Sequence, residues 1–575
     1  MKNIVLKFVL ISILLPCGYF YIKGQENNSN IDSENVSLFT DRTLYISGER
    51  IQFAAYLFLK NNNNLSNPND NIDTEEWRNG LKNQNLSKIL NIELITPDGV
   101  KISEGKYFVD NSFCSGYLKI PDEVETGPYY IRAYTKFMRN NGPSSYCYLY
   151  LKIINPIKSD VLKYTYTKRD TIGTQIIAPF SLNKEIYSTR EQVVIPLKDL
   201  NFPDSRLLKG MNLTVIPEST FISKTNIEPL AENNQSDKLF YPESSGLSLT
   251  GQLKDSKTEK LLPNYTVNLS ILGDCKDFMA VKTDTTGHFY FKMPYLKGVK
   301  NIFLCTESVV DSKSSILIDN DFCQNKVRIP TTRFHLSDSE KKAALDLALN
   351  HQISSHFNKI DSTDSTKYSN NAFYGKPQVV LDLNNYIDLP TIEDYIFELV
   401  PMLKVKKKNG KKFFKIISVQ GEMNIYEPLV LLDLVAIDDP DKILAISPRK
   451  ISRFEIIYSP YIKGNVIYGG IISIFSKKND FANIDLSSSG VFLDFNFLKD
   501  NIPTYKNRTI SENLPDTRNT LLWVPNLVNS KTKEISFTTS DTPGKYIVLI
   551  RGITNRGKEF VFQGSFEVKE QQTNP

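Results

Sequence analysis

Between residues 36 and 60 apolar side chains recur at every second position. After a Ser47-Gly48 turn, Ile51, Phe53, Ala55 and Leu57 fall on one side of the chain. That period predicts a strand with one buried face. The alternation resumes in "ILNIELITPDGVKI", where Pro97-Asp98-Gly99 predicts a turn, because proline presets φ and glycine accepts a positive one. "GYLKIPDEVETGPYYIRAYTKFMRN" and "YCYLYLKIINP" complete a sandwich-sized unit over residues 36–158. The Asn-rich "KNNNNLSNPNDNID" inside it is too polar to bury and reads as a surface loop.

The opening pattern then returns. "DRTLYISGERI", from Asp41 to Ile51, can be laid over "NKEIYSTREQV", from Asn183 to Val193. Both run polar, basic, any residue, aliphatic, Tyr, turn, Glu, and a β-branched residue two later. Such a repeat predicts a duplicated domain, here 159–243, rather than a solenoid with a period of ~20–50 residues. Tyr45 and Tyr187 are expected to anchor the strand entry. Short strands at "GLSLTGQLKD", "PNYTVNLSIL", "AVKTDTTGHFYFKM" and "KNIFLC" predict a third β unit at 244–330.

Helical spacing appears in the segment 331–376. Ser337 and Glu340 form a capping box, and Leu345, Ala348, Leu349 and Ile353 make the apolar stripe of a helix expected to bridge modules. Residues 377–480 alternate strands with short helical turns, an α/β unit. Within it Asn409-Gly410 predicts a hairpin, since both turn residues take positive φ. Residues 481–515 read as a charged linker and 516–575 as a closing β segment.

Composition narrows the picture. A chain of 575 residues exceeds one core and suggests about three to five domains. Twenty-nine Tyr and 33 Phe against two Trp and seven Met favour strands over helix bundles. A net charge of +5 gives no whole-chain case for nucleic acid. Lys2 and Lys7 followed by the short apolar run Phe8–Leu15 read as a signal peptide over 1–24, with a polar leader at 25–35. Lipidation of Cys17 is disfavoured by Pro16 before it. No later run reaches ~18 apolar residues, so no transmembrane span is expected. Export permits bridges Cys114–Cys147 and Cys275–Cys305, and buried thiols are the equal alternative.

"TDRTLYISGERI" with "ETGPYYIRAYTKFMRN" resembles the macroglobulin-type β-sandwich of alpha-2-macroglobulin relatives, in particular versions from envelope proteins of Bacteroidetes-type bacteria. The thioester motif of protease-trapping macroglobulins is not matched by any cysteine here. The 246–306 strands, with Asp284 and Gly287 in a "TD..G.F" turn, resemble the carboxypeptidase regulatory-like sandwich, an accessory fold. "PLVLLDLVAIDD", "ILAISPRKISRFEIIYSP" and "VIYGGIISIFSKK" resemble the plug domain of TonB-dependent outer-membrane receptors, with Asp433-Leu434 where Asp-Gly is usual. The tail "TRNTLLWVPNLV…GKYIVLIRGITNRGKEF" is similar to a macroglobulin segment and is expected to complete, over 516–570, the sandwich begun before residue 243. The fold class implied is mainly β and multidomain: macroglobulin-like and Ig-like β-sandwiches plus a small α/β plug-like domain. The residues after the plug-like unit are too few for a barrel of about 22 strands.

Candidate chemistry is sparse. His351 and His356 stand at i and i+5, about 140° apart on a helix, and do not converge on a metal. His288 lies in a turn with no carboxylate placed beside it by sequence. Asp438, Asp439 and Asp441 read as a helix cap rather than a calcium site. No catalytic set, cofactor or metal is expected. The one sharp charge feature is Lys404, Lys406, Lys407, Lys408, Lys411, Lys412 and Lys415 on one hairpin. It reads as a solvated hairpin protected from edge pairing or as a contact for anionic lipid or an acidic partner. The function expected is a non-enzymatic, exported envelope scaffold, periplasmic, outer-membrane associated or on the cell surface. It would dock through its plug-like domain on an outer-membrane β-barrel or other envelope protein. The alternative is an accessory of TonB-linked transport or of a secretion system. Nucleic acid is not an expected partner.

Overall fold

The computed structural model describes residues 33–60, 86–167, 177–198, 200, 202, 208–222, 227, 229–231, 239–306, 314–357, 372–408, 410–417, 425–486, 490–499, 514–527 and 534–570. The proposed signal peptide, Cys17, the Asn-rich stretch after Lys60 and Asn409 of the predicted turn lie outside them. The polar leader expected at 25–35 is corrected at its end, because Ser33, Glu34 and Asn35 already pair as a strand with Lys60, Leu59 and Phe58, and Glu34 is buried. The described chain is mainly β and divided among many sheets.

The first sandwich is built from β1 (Ser33–Thr40), β2 (Leu44–Ile46), β3 (Arg50–Lys60), β4 (Ile89–Ile95), β5 (Lys101–Phe108), β6 (Phe113–Lys119), β7 (Gly127–Tyr134) and β8 (Cys147–Ile154). One sheet runs β1-β3-β6 and the other β2-β8-β7-β4-β5. The period-2 residues Ile51, Phe53, Ala55 and Leu57 of β3 are buried in one core with Leu90, Ile92, Leu94, Ile131 and Leu151 from the facing sheet.

The chain then lays down β9 (Ile177–Pro179), β10 (Ile186–Ser188), β11 (Gln192–Pro196) and β12 (Leu208–Pro217), half of a second sandwich. Beyond a short β13 (Leu230–Ala231) comes a third sandwich. Its β14 (Ser248–Asp255), β17 (His288–Lys292) and β19 (Ser314–Ile318) form one sheet, and β15 (Thr266–Ile271), β16 (Asp277–Lys282) and β18 (Val299–Thr306) belong to the other. β20 (Val327–Arg328) returns to pair with β13. Helix α1 (Asp338–Phe357) follows.

The α/β unit comes next. Its sheet has the order β21-β26-β29-β24-β25, from Val379–Asp382, Ile451–Ile457, Ile471–Ser476, Leu429–Leu432 and Val435–Ala436. Helix α2 (Ile392–Leu399), the hairpin β22 (Leu403–Lys408) and β23 (Lys411–Ile416), helix α3 (Pro440–Leu444) and the ribbon β27 (Tyr461–Lys463) with β28 (Val466–Tyr468) complete it. The chain re-enters the third sandwich as β30 (Gly490–Asn496), paired along β18. It ends with β31 (Leu522–Val524), β32 (Glu534–Thr538), β33 (Gly544–Thr554) and β34 (Glu559–Lys569).

Those last four strands finish the second sandwich. Its sheet reads β10-β34-β33-β12-β31, with β11 paired to β32, strand for strand the β2-β8-β7-β4-β5 and β3-β6 pairings of the first. The copies agree in their hydrogen bonds. Ile46 N donates to Glu49 Oε2 at 2.9 Å, and Ser188 N to Glu191 Oε2 at 2.7 Å. Gly48 and Arg190 both take positive φ, 83° and 58°. The Tyr129 hydroxyl donates to Glu125 O and the Tyr546 hydroxyl to Thr542 O, each at 2.8 Å.

The interruption falls where the first sandwich has its β4–β5 turn, closed by Thr96 N to Val100 O at 2.9 Å. In the second, Val215 of β12 pairs with Leu522 of β31, and Leu521 N donates to Val215 O at 2.9 Å. Everything from residue 218 to 521 thus issues from one hairpin position. Loop-closure cost grows only logarithmically, about 0.6 kcal/mol per doubling, so a folded insert is tolerated there.

Two further expectations change. Of the stripe Leu345, Ala348, Leu349 and Ile353, Leu345 and Leu349 are exposed, Ala348 and Ile353 are half-buried, and the buried face of α1 is instead Ala343, Ala344, Leu347 and Asn350. Ala343 and Leu347 sit at helical spacing and pack on Leu44 and Ile46 of β2. Small residues let the helix approach the strand, and Asn350 reaches across to Asn519 at 3.0 Å. The capping box forms as expected, with Glu340 N to Ser337 Oγ at 3.2 Å and Ser337 N to Glu340 Oε2 at 2.7 Å. Residues 481–515 are not all linker, because β30 adds a fourth strand to the β16-β15-β18 sheet of the third sandwich, where Phe492 meets Phe303 at 4.6 Å between ring centroids. The cysteines settle on the buried-thiol alternative: Cys114, Cys275, Cys305 and Cys323 are buried and unbridged.

Candidate docking face on the inserted α/β unit

The α/β unit is welded to the third sandwich. One hydrophobic core contains Phe278, Ala280, Phe303 and Cys305 of the sandwich together with Leu429, Leu431, Ile472 and Ile474 of the unit. Polar pins surround it. Tyr468 donates its hydroxyl to Asn268 Oδ1 at 2.6 Å, Asn268 Nδ2 donates to Asp438 Oδ1 at 3.2 Å, and Ala436 N donates to Ser270 Oγ at 3.1 Å. The β24–β25 side is therefore committed to an intramolecular joint.

The Asp433-Leu434 turn between those strands keeps the geometry of an Asp-Gly turn, with φ of 50° and 71°. The fully buried Asp433 carboxylate accepts from Ser476 N at 2.8 Å, Ser476 Oγ at 2.6 Å and Phe481 N at 2.9 Å. These bonds hold a conformation that leucine by itself disfavours. Of the three aspartates downstream, Asp439 caps α3 through Asp441 N, and Asp438 is the partner of Asn268.

The unit also carries the lysine hairpin, and the structure divides its seven lysines. β22 and β23 pair antiparallel with Lys404 opposite Lys415, Lys406 opposite Phe413 and Lys407 opposite Lys412, turning at Gly410 with φ of 83°. Leu403, Phe414 and Ile416 lie on the inner side and are buried in the unit's core. Lys407 and Lys412 share that side by register, and Lys412 is ion-paired to Glu393 of α2, which raises its pKa through the hydrogen bond. Lys404, Lys406, Lys411 and Lys415 occupy the outer side with Phe413. Lys408 opposes Lys411 in the backbone register. Lys404 Nζ lies 5.8 Å from the ring centroid of Phe397, itself 71% exposed. The sequence reading grouped all seven lysines and missed Phe397, Phe413 and Glu393. Period 2 from the Asn-Gly turn could have found Phe413; the other two come from α2.

His288 is placed differently from the sequence reading. Its backbone N–H donates to Asp284 Oδ1 at 2.9 Å and its ring Nδ1 lies 3.9 Å from the same oxygen. The carboxylate closes the turn, so the pair is local to the loop.

No protein-family model matches the chain, and no match is found among curated proteins. Solved structures similar to it include a Salmonella alpha-2-macroglobulin reacted with methylamine, at 10% identity and a TM-score of 0.21, covering 94% of this chain and 39% of that one. An Escherichia coli alpha-2-macroglobulin activated by porcine elastase is similar at 11% identity and a TM-score of 0.21, covering 94% and 44%. A tetra-tandem repeat from the extending region of a large adhesion protein follows at 9% identity and 0.14, covering 94% and 99%. The chain thus spans about two fifths of the length of the macroglobulins it matches. Among the described residues no helix is long and apolar enough to cross a membrane.

Proposed function

We propose that this chain is a non-enzymatic, exported scaffold of the cell envelope that attaches to an outer-membrane partner through the inserted, plug-like α/β unit. The observation that carries the reading is the division of that unit into one side fused to a sandwich and another bearing the basic ribbon. The same unit keeps apolar side chains in solvent: Ile387, Phe397 and Ile425 are 82%, 71% and 77% exposed. Large exposed apolar residues grouped on one module are a feature of interaction surfaces.

The ionisable groups support a structural use for the rest of the molecule. Arg42 donates Nη2 to Glu49 Oε1 at 2.7 Å beside Asp41, Glu93 is paired with Arg132 at 2.7 Å, and Lys106 meets Asp321. The first two sets are buried and the third is half-buried, and the Asp41 and Asp321 sets lie at joints between modules. A platform of rigid sandwiches with a projecting attachment unit is the arrangement these joints serve.

The test is photo-crosslinking in intact cells from probes at Ile387 and Ile425, with Leu317 on the third sandwich as the control position. The reading expects an outer-membrane protein captured from the first two positions and not from the third. Capture of the same proteins from all three positions, or of none, contradicts it.

A further inference from the structure

The register of the lysine hairpin says more about its ligand than the lysine count does. Lys404 stands directly opposite Lys415, and the backbone of Lys408 opposite that of Lys411. Like charges in opposed positions weaken a two-stranded ribbon. Protection from edge pairing is achieved with a single well-placed charge or a short strand, so this concentration exceeds that need. β22 and β23 pair with each other and with no third described strand, and their inner side is filled by Leu403, Phe414 and Ile416. The outer side of Lys404, Lys406, Lys411 and Lys415 therefore has the character of a presented surface. Glu393 of α2 takes Lys412 from the inner side.

The chemistry of the face selects among anionic partners. Every cation from 403 to 416 is lysine. Arginine would offer a planar fork suited to one carboxylate or phosphate, whereas lysine is a compact point charge on a flexible stem. Such charges suit a surface whose negative groups move laterally. Two aromatic rings flank them, the partly exposed Phe413 within the ribbon and the exposed Phe397 beside Lys404. Aromatic and aliphatic bodies under charged tips settle at the boundary between headgroups and acyl chains. We infer that the outer face of the ribbon, Lys404, Lys406, Lys411 and Lys415 with Phe413 and Phe397, binds the surface of an anionic lipid membrane. The assignment rests on the reading of the α/β unit as the attachment face, and it adds the lipid beside any protein held there.

Flotation of the purified full chain with vesicles tests it. Phosphatidylcholine vesicles containing phosphatidylglycerol should carry the protein upward, pure phosphatidylcholine should not, and raised salt should release it. The triple variant Lys404→Gln, Lys406→Gln, Lys411→Gln should lower partitioning about a hundredfold. The triple variant Lys260→Gln, Lys292→Gln, Lys558→Gln removes equal charge from exposed positions elsewhere and should lower it by less than about threefold. Equal losses from the two variants would overturn the inference, as would vesicle binding indifferent to salt. No vesicle binding with crosslinking from Ile387 and Ile425 preserved would mark the face as a site for an acidic protein. That result would reject the lipid and leave the scaffold reading in place.

Discussion

Thr520 donates its hydroxyl to the carboxylate of Asp41 at 2.7 Å, although the two residues lie 479 positions apart. Asp41 sits in the opening motif of the first sandwich and Thr520 just before β31 of the second. Asp41 Oδ1 also lies 2.7 Å from the Tyr45 hydroxyl and accepts Gln52 N at 3.1 Å. Asn519 adds a bond to Glu49 Oε1 at 2.8 Å. The motif that recurs in the sequence is therefore, in its first copy, the seat of the joint between the two copies.

Asp41→Ala should destabilise the chain by about 3–5 kcal/mol in urea or guanidinium unfolding, because it strands buried donors and removes a charge beside Arg42. Thr520→Val should cost about 1 kcal/mol. The matching position in the second copy, Asn183, is exposed, and Asn183→Ala should change stability by less than about 0.5 kcal/mol. Comparable losses at Asp41 and Asn183 would mean that the joint is not where the bonds place it.

Gly210 lets β12 approach the first sandwich. A Cβ built there would lie 1.8 Å from a ring carbon of Tyr56, whose hydroxyl donates to Pro525 O at 3.0 Å. Neither the ring nor the strand can withdraw without opening the joint, so Gly210→Ala should cost at least about 1–3 kcal/mol. Its effect should be local to this contact, read as faster amide exchange in β3 and β12. Unchanged exchange in both strands would contradict the packing.

Burial raises the pKa of Glu34, against the opposing effect of hydrogen bonds from Thr135 and Ser87. A carboxyl with a folded pKa above its unfolded value binds its proton more readily in the folded chain. Its charged form then subtracts stability at neutral pH, and that penalty fades as pH falls through the folded value and is gone below the unfolded one. Glu34→Gln keeps the group neutral. Its denaturation midpoint should exceed the parent's near neutral pH, with the gap closing at about pH 4. A gap independent of pH would show that ionisation of Glu34 is not the cause.

The sequence made some of this legible for identifiable reasons. Strand alternation in β3 and the hairpin closed at Gly410 are local signals, and the pairing of β3 and of β22 with β23 follows them. The closing strands carry a spacing shared with the first sandwich, Gly544 and Tyr546 repeating Gly127 and Tyr129, and in each copy the tyrosine hydroxyl donates to the carbonyl four residues before it. Large residues dominate the helical pattern of α1 at Leu345 and Leu349, whereas the pair that packs on β2 is Ala343 and Leu347. β30 was hidden because the charged stretch after Lys499 dominates its neighbourhood, although Val491, Leu493 and Phe495 alternate. The pairing of Lys412 with Glu393 depends on where α2 rests against the hairpin, which no local pattern encodes.

The central structural claim is that the strands before residue 218 and those after 521 are one folded body. Hydrogen exchange read by mass spectrometry on the full chain and on a variant lacking 516–570 tests it most directly. In the variant, β10, β11 and β12 lose their partners β31–β34, so their amides should exchange at rates close to those of an unfolded chain while β14–β19 stay protected. Native-like protection of β12 in the absence of the closing strands would contradict the account.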